Sequence, residues 1–400
     1  MDVGSIPYSF NLGYLWEFLE QNPDVGAAAG GILVPEPQKL WNLISVWQFG
    51  YFCLEKLLSS PTEILAGYLS ILPGQFSILR WQSLISRDSK DDNGGQNKKV
   101  QNCALDCYFQ GLSDMGTFKS NMFLTEDRIL GSNIVTNGEH DWRLAYLPSV
   151  VTVTDECQSL SELIRQRRRW INGSFHCLLY NLVQVCQFLL KNKGSFLSKW
   201  RFLRSIPLSL LKILKDWLYP AFYILLLYVF YDHTQNIALD LSWYTSPIKA
   251  IFSINLLLLL FHILACLFDN INYFFWYLNI IYNAIFFLVT ITFWSCTGHF
   301  SLSFAFVLVT IAIYSFASLD SFSLTKKIWK YLPIYLLINP IVEFLLNTYS
   351  FCNIDNESWG TKGLTTSKRN IQYKIYYVSL WLISNISIIF LTLHSNFSLS

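Results

Sequence analysis

The sequence is short of charge. Only 14% of its 400 residues are Asp, Glu, Lys or Arg, and 29 basic residues nearly balance 27 acidic ones for a net charge of +2. That balance excludes the strongly basic surface of a typical nucleic-acid binder. Clustered cysteines are missing too. The nine cysteines stand singly apart from Cys103 and Cys107, a pair with no second pair and no nearby histidines, so a structural zinc site is not supported. Scattered cysteines ahead of apolar segments fit a reducing, cytoplasmic domain. No secretory leader is expected, because Met1 is followed by Asp2 and a polar-aromatic stretch rather than by a basic and then an apolar run.

What the chain has in excess is grease: 52% hydrophobic and 17% aromatic residues, too much for one soluble domain. The excess is uneven. Residues 1–200 mix charged, polar and apolar residues, whereas 217–350 is mostly Leu, Ile, Phe and Tyr. In the first part, Leu12–Gln21 predicts a helix stopped by Asn22-Pro23, and Val25–Val34 a buried strand of small residues with close backbone approach. A helix is expected over about 38–58, ending before Ser59-Ser60-Pro61. Residues 68–79 predict strand, loop at Pro73-Gly74, and strand, and 144–154 another strand. Residues 86–100 read as a disordered surface loop. Such alternation predicts an α/β layer fold. Ser159-Leu160-Ser161-Glu162 is a capping box opening a helix. Amphipathic segments at 175–190 and 196–213, carrying Trp200, Arg201, Arg204, Lys212 and Lys215, suit helices in a membrane interface.

A membrane span needs about 17–25 apolar residues. Candidates are 217–231, 248–268, 272–295, 301–318, 331–350 and 375–395. With the first domain cytoplasmic, the loops at 232–246 and 296–300 fall outside and lack basic residues, apart from Lys249 just beyond the first. Loop 319–330, with Lys326, Lys327 and Lys330, falls inside. The fifth segment breaks the count, because Lys362, Lys368, Arg369 and Lys374 would follow it outside. Since it contains Pro333, Asn339, Pro340, Glu343 and Asn347, a re-entrant or laterally inserted segment is expected, leaving 351–374 cytoplasmic.

Three groups of residues suggest chemistry. Gln166-Arg167-Arg168-Arg169-Trp170 places planar cations where they could clamp phosphate oxygens, beside an indole face suited to a sugar. The alternative is a positive-inside cluster ahead of a membrane domain. Forty residues upstream, Thr125-Glu126-Asp127-Arg128 offers a general base for a sugar hydroxyl, with Arg128 keeping Asp127 ionised, or else a solvated helix start. Asp2-Val3-Gly4 could place a carboxylate on a divalent cation that bridges a diphosphate. Alone it carries nothing; its order and spacing relative to the other two give it value.

Together these resemble the chitin synthases, a branch of the processive family-2 glycosyltransferases. Asp2-Val3-Gly4-Ser5-Ile6-Pro7 is similar to the family's variant of a metal-binding Asp-x-Asp motif. Pro61-Thr62-Glu63 and Gly67–Ser77 resemble its loop segment, with Gln75 where Ala is usual. Leu105–Phe109 resembles another stretch, with Ala104 where Pro is usual. Glu126-Asp127-Arg128 and Gln166–Phe175 match outright, and Tyr349–Asn353 with Ser358-Trp359-Gly360-Thr361-Lys362-Gly363 resembles a late signature. The resemblance runs from residue 1 to about 365.

It implies a partial GT-A-like α/β glycosyltransferase domain over 1–173, interfacial helices over 174–215 and an all-α multi-span membrane domain over 216–400. Asp2 would hold Mg²⁺ or Mn²⁺ on the UDP diphosphate, and Asp127, with Glu126 as the next candidate, would be the base. Gln166, Arg168, Arg169 and Trp170 would hold acceptor and diphosphate, and the Leu72-Pro73-Gly74 loop would gate a channel mouth. The implied partners are UDP-N-acetylglucosamine, a chitin oligomer, the lipid bilayer of the plasma membrane and a second copy of the chain, with no nucleic acid. In the family a uridine-binding half precedes the metal motif. Almost nothing precedes Asp2 here, so a fragment that is inactive alone is expected, or else a product without a donor site. The Pro-Gly-Gln-Phe-Ser and Ser-Trp-Gly-Thr-Lys-Gly contexts argue against a cellulose or hyaluronan synthase. An inactive membrane scaffold beside a full-length synthase is a different class, and a transporter or channel would leave the Glu-Asp-Arg and Gln-Arg-Arg-Arg-Trp pattern unexplained.

Overall fold

The computed structural model describes residues 4–85, 104–109, 115–137, 140–190, 195–238, 242–268, 270, 272–297, 322–358 and 370–397. They form two compact units. The first comprises Met1–Gln38, Tyr51–Cys157 and Arg169–Ile213; the second comprises Lys39–Gly50, Gln158–Arg168 and Leu214–Ser400.

The first unit is built on a four-stranded mixed sheet of β1 (Ile6–Pro7), β2 (Val25–Leu33), β3 (Ser77–Leu79) and β4 (Arg143–Val153), in the order β1-β4-β2-β3. β4 runs parallel to β2, while β1 and β3 are antiparallel to their neighbours. The small residues of β2 divide between its two faces with the two-residue period of a strand. Ala27 and Ala29 join Leu69, Leu72 and Ile134 on one side, and Ala28 joins Leu15, Leu19 and Phe76 on the other. The close approach expected of this strand is found at Gly30, where a Cβ would stand 2.4 Å from the Phe76 ring and 2.6 Å from the Val150 carbonyl.

Helix α1 (Asn11–Gln21) ends at Asn22, whose amide N–H bonds to the Leu19 carbonyl. The next helix departs from expectation at both ends. α2 (Leu43–Leu54) begins later than residue 38, and instead of stopping before Ser59 the chain passes through a π-helical turn (Glu55–Ser59) into α3 (Ser60–Ala66). Pro61 is no obstacle, because it falls in the first turn of α3, and the Lys56 carbonyl five residues back accepts the Tyr146 hydroxyl at 3.2 Å instead. Of the two strands expected over 68–79 only β3 forms; Tyr68–Phe76 is a loop. Short helices α4 (Trp81–Leu84), α5 (Ala104–Phe109) and α6 (Thr117–Met122) lead through a 3₁₀ turn to α7 (Glu126–Asn137). The expected surface loop at 86–100 lies outside the described residues.

The capping box is present with a shift of one residue. Ser159 Oγ accepts the Glu162 amide at 3.3 Å, and Glu162 Oε2 accepts the Gln158 amide, not that of Ser159, at 3.0 Å. It opens α8 (Leu160–Leu190), which is followed by α9 (Phe196–Ala238). The segments expected to form separate interfacial helices are therefore parts of two long ones. Val185, Phe188 and Phe202 from these segments are buried in the core of the first unit, packed with the residues around Ala27 and Ala29.

Among the described residues the second unit is helical: the parts of α2 and α8 within Lys39–Gly50 and Gln158–Arg168, the rest of α9, α10 (Ser242–Leu267), α11 (Tyr273–Thr297), α12 (Phe322–Cys352) and α13 (Ile371–Phe397). Six helical stretches among the described residues are long and apolar enough to cross a membrane: Leu160–Leu190, Phe196–Ala238, Thr245–Leu267, Tyr273–Thr297, Lys327–Cys352 and Ile371–His394. Four correspond to expected spans, Phe196–Ala238 contains a fifth, and Leu160–Leu190 is an addition. The expected span at 301–318 lies outside the described residues.

The broken segment expected at 331–350 is not found. α12 is continuous through Pro333 and Pro340. The polar groups that argued against a helix find partners inside the unit: Trp47 Nε1 donates to Asn339 Oδ1 at 2.8 Å, and Asn347 Nδ2 donates to the Asp216 carbonyl at 2.9 Å. That carbonyl is four residues before Pro220, which has no N–H to give it. The next one, of Trp217, accepts Asn385 Nδ2 at 3.0 Å, and Asn385 Oδ1 accepts the Ala221 amide at 3.0 Å. Asparagines from α12 and α13 thus repair the ladder that Pro220 disturbs, as neighbouring side chains do for proline-containing membrane helices.

Asn347→Leu should therefore destabilise the protein by about 1–3 kcal/mol, the usual loss for a buried carbonyl left unpaired. A Pro220→Ala background restores a backbone N–H that can donate to the Asp216 carbonyl, so the same change should lose much less there. Unfolding midpoints in mixed detergent, compared across the four proteins, measure the difference.

Candidate active site

The Glu126-Asp127-Arg128 triplet forms the first turn of α7, where the helix dipole favours carboxylates. Its position is fixed from behind. Gly173 of α8 stands so near Thr125 that a Cβ there would lie 2.6 Å from Thr125 Cγ2, and Thr125 Oγ1 is 3.5 Å from Cys177 Sγ. The same helix surface brings Arg169 into electrostatic reach of Glu126. Trp170 packs edge-to-face on Phe52, with ring centroids 6.3 Å apart. Burial raises the Tyr108 hydroxyl pKa, and the negative charges of Glu126 and Asp127 raise it further.

A buried relay holds the triplet from the other side. Arg128 Nη1 donates to Ser70 Oγ at 3.2 Å; Ser70 donates its hydroxyl to Glu63 Oε1 at 2.5 Å and its amide to Glu63 Oε2 at 2.7 Å. Lys212 forms an ion pair with Glu63 Oε1. Burial pushes the Glu63 pKa up, but the Lys212 ammonium and the Ser70 donors outweigh it and hold it below the usual carboxylate value. For Arg128, burial opposes the charge, and Asp127 and Glu63 more than restore it. Two residues past Ser70, Leu72 is buried against α7, 3.3 Å from where a Cβ on Gly131 would be. Pro73 is buried and Gly74 half-buried. The Leu72-Pro73-Gly74 loop and the acidic triplet are thus fastened to the same helix. Glu63 and Ser70 were given no role by sequence reasoning, although they lie within the quoted motifs, and Lys212 was read only as a basic residue of an interfacial segment.

The arginine run is divided between the units. Gln166, Arg167 and Arg168 belong to the second, Arg169 and Trp170 to the first. Arg167 lies over the Trp47 ring, 4.8 Å from its centroid. Arg168 is buried, 3% exposed, and donates to the Ser358 carbonyl at 2.6 Å. The start of the late Ser-Trp-Gly-Thr-Lys-Gly signature is thus among its partners. Gln166 Oε1 is buried and accepts no hydrogen bond among the described residues.

Asp2 lies outside the described residues. The residue two positions on, Gly4, has φ 90°, and the Asp155 Oδ2 atom sits 2.8 Å from where a Cβ on it would be. A carboxylate therefore stands beside Gly4, contributed by the residue two past the end of β4. Oxygen donors of this kind fit Mg²⁺ or Mn²⁺. Among the described residues no group of three His, Cys, Asp or Glu side chains could hold a metal ion.

Residues 1–185 match the family described as the chitin synthase-like glycosyltransferase domain. Chitin synthase 1 of Fusarium oxysporum is 27% identical over 413 residues, covering 91% of this chain and 42% of the relative. Chitin synthase I of Metarhizium acridum is 29% identical over 400 residues (91% and 43%), and chitin synthase 1 of Phytophthora sojae 28% over 387 (91% and 40%). The chain spans about two-fifths of the length of these curated relatives.

The relay has a pH signature. Because the Glu63 pKa is lowered in the folded protein, its contribution is complete above about pH 4.5 and is lost as pH falls toward the lowered value. Glu63→Gln should destabilise the protein at pH 7 by on the order of 2–3 kcal/mol, less than the ~3–5 of a fully buried pair because the Lys212 side chain is 31% exposed. That deficit should shrink below pH 4.5, which unfolding midpoints of both proteins across pH 3.5–7 would measure.

Proposed function

We propose that this chain, related to the chitin synthases through its chitin synthase-like glycosyltransferase domain, supplies the acceptor-activating and membrane-embedded parts of a polymerase that transfers N-acetylglucosamine from UDP-N-acetylglucosamine to a growing β-1,4 chitin chain. The observation that carries this reading is the Glu126-Asp127-Arg128 turn, fixed between Thr125–Gly173 on one side and the Ser70–Glu63–Lys212 relay on the other. A base must be held in position to be efficient.

Asp127 takes the proton from the 4-hydroxyl of the terminal sugar, and that oxygen attacks the anomeric carbon from the face opposite UDP. The bond to the diphosphate breaks, UDP leaves, and the configuration inverts. Arg128 keeps Asp127 ionised. Arg169 and Trp170, with Gln166, bind the acceptor end and the diphosphate. Arg168 fastens the Ser358 segment, an assignment its hydrogen bond supports over direct phosphate contact. The Leu72-Pro73-Gly74 loop borders the acceptor path as its gate. Asp2, assisted by Asp155, would hold Mg²⁺ or Mn²⁺, which supplies charge neutralisation at the departing diphosphate. The six apolar helices support a multi-pass protein. The plasma membrane, a cytoplasmic transferase domain, passage of the polymer through the helices and association with a second copy complete the proposal.

The test joins residues 1–400, with Asp2 retained, to the N-terminal part of a full-length chitin synthase. Membranes are then assayed for insoluble polymer from labelled UDP-N-acetylglucosamine, with UDP-glucose and UDP-glucuronate as competitors. Asp127→Asn should drop synthesis by ~10²–10⁴-fold, the usual share of a general base, while UDP binding stays near normal. Arg169→Ala should weaken binding as well as turnover. A near-normal rate for Asp127→Asn would remove it as the base and leave Glu126.

A further inference from the structure

The first unit has a cleft lined by three arginines. Arg143, at the start of β4, and Arg201 and Arg204, on α9, edge a cavity of about 130 Å³ whose wall includes Tyr68, Trp142 and Phe202. That is room for about four water-sized groups at ~30 Å³ each, enough for a phosphate. Among the described residues the carboxylates that reach the cluster are Asp24, ion-paired with Arg143, and Asp141, two against three guanidiniums. Arg201 donates to Ser198 Oγ at 2.8 Å; Arg204 has no hydrogen bond to a described residue.

The surface beside the cleft is apolar. Phe196, Trp200, Leu203 and Leu210 recur at helical spacing along α9, and they are 81%, 51%, 50% and 43% exposed. They form one stripe, with Arg204 next to Leu203 at its edge and Phe202 turned into the core. An exposed apolar stripe rimmed by basic residues, on a helix that continues into an apolar span, is the pattern of a helix seated in the headgroup region of a bilayer.

We infer that the Arg143–Arg201–Arg204 cleft binds the phosphate group of an anionic phospholipid, whose acyl chains lie along the Phe196–Leu210 stripe. Guanidinium forks match phosphate oxygens. The tyrosine and tryptophan in the wall suit the level of the headgroups. The site is independent of the transferase reading, since neither Asp127 nor the arginine run takes part.

The purified chain in neutral detergent micelles would be titrated with phosphatidylserine, with phosphatidylcholine and with inorganic phosphate, reading lipid adducts by native mass spectrometry and the thermal midpoint alongside. Phosphatidylserine should bind in preference to phosphatidylcholine. Arg204→Gln should reduce that preference about fivefold, the share of one basic residue near an anionic surface. Arg143→Gln is the second variant, on a different element, and should act in the same direction. Trp200→Ser should weaken both lipids alike. Equal binding of the two lipids by the unaltered chain overturns the inference, as does a preference unchanged in both arginine variants. Protection by inorganic phosphate equal to that by phosphatidylserine would also overturn it, by showing a site for soluble phosphates instead.

Discussion

A carboxylate that is 3% exposed survives ionised in a protein interior only with a full set of partners, and Glu63 has them: the Lys212 ammonium and the Ser70 hydroxyl and amide, with Arg128 one bond further on. These residues come from α3, the loop after it, α7 and α9, so one buried charge ties together elements that share little sequence proximity. Burying such a charge is expensive unless it is paired and hydrogen-bonded. Within the first unit, the placement of the Glu126-Asp127-Arg128 turn follows from this relay and from the absence of a side chain at Gly173.

The second unit solves a related problem in an apolar setting. Long helices carrying Pro220 and Pro340 would leave backbone groups without partners. Asn347 and Asn385 answer for the carbonyls near Pro220; near Pro340 the Tyr219 hydroxyl adds a bond between helices, donating to the Pro340 carbonyl at 3.2 Å. Glu343 lies within electrostatic reach of Lys215 and Arg167. Polar residues in these helices therefore face one another, which lets α12 remain a continuous helix.

This explains where sequence reasoning succeeded and where it stopped. The strand expected over Val25–Val34 was legible because a run of small apolar residues reads as a buried strand, and it forms as Val25–Leu33; the one expected over 144–154 forms as Arg143–Val153. Ser159 and Glu162 marked a helix start for a local reason. Pro61 and Pro340 misled, since whether a proline ends a helix depends on its place in the turn and on partners hundreds of residues away, such as Trp47 for Asn339. The stretch from Tyr68 to the loop at Pro73-Gly74 looked like strand because it is largely apolar, yet the Ser70 amide and hydroxyl are committed to the Glu63 side chain, not to a ladder. The Glu-Asp-Arg and Gln-Arg-Arg-Arg-Trp motifs could be named from sequence. That Arg168 reaches Ser358, 190 residues on, could not.

The central claim is that Glu63, acting through Ser70, is energetically coupled to the residue beside the proposed base. A double-mutant cycle on Glu63→Gln and Arg128→Gln, read as unfolding free energy at pH 7, measures that coupling. The account predicts an interaction energy of at least about 1 kcal/mol, because each change leaves the other's charge without its partner through Ser70. Additivity within ~0.5 kcal/mol would contradict it, leaving Glu63 and Arg128 as neighbours that happen to share a serine.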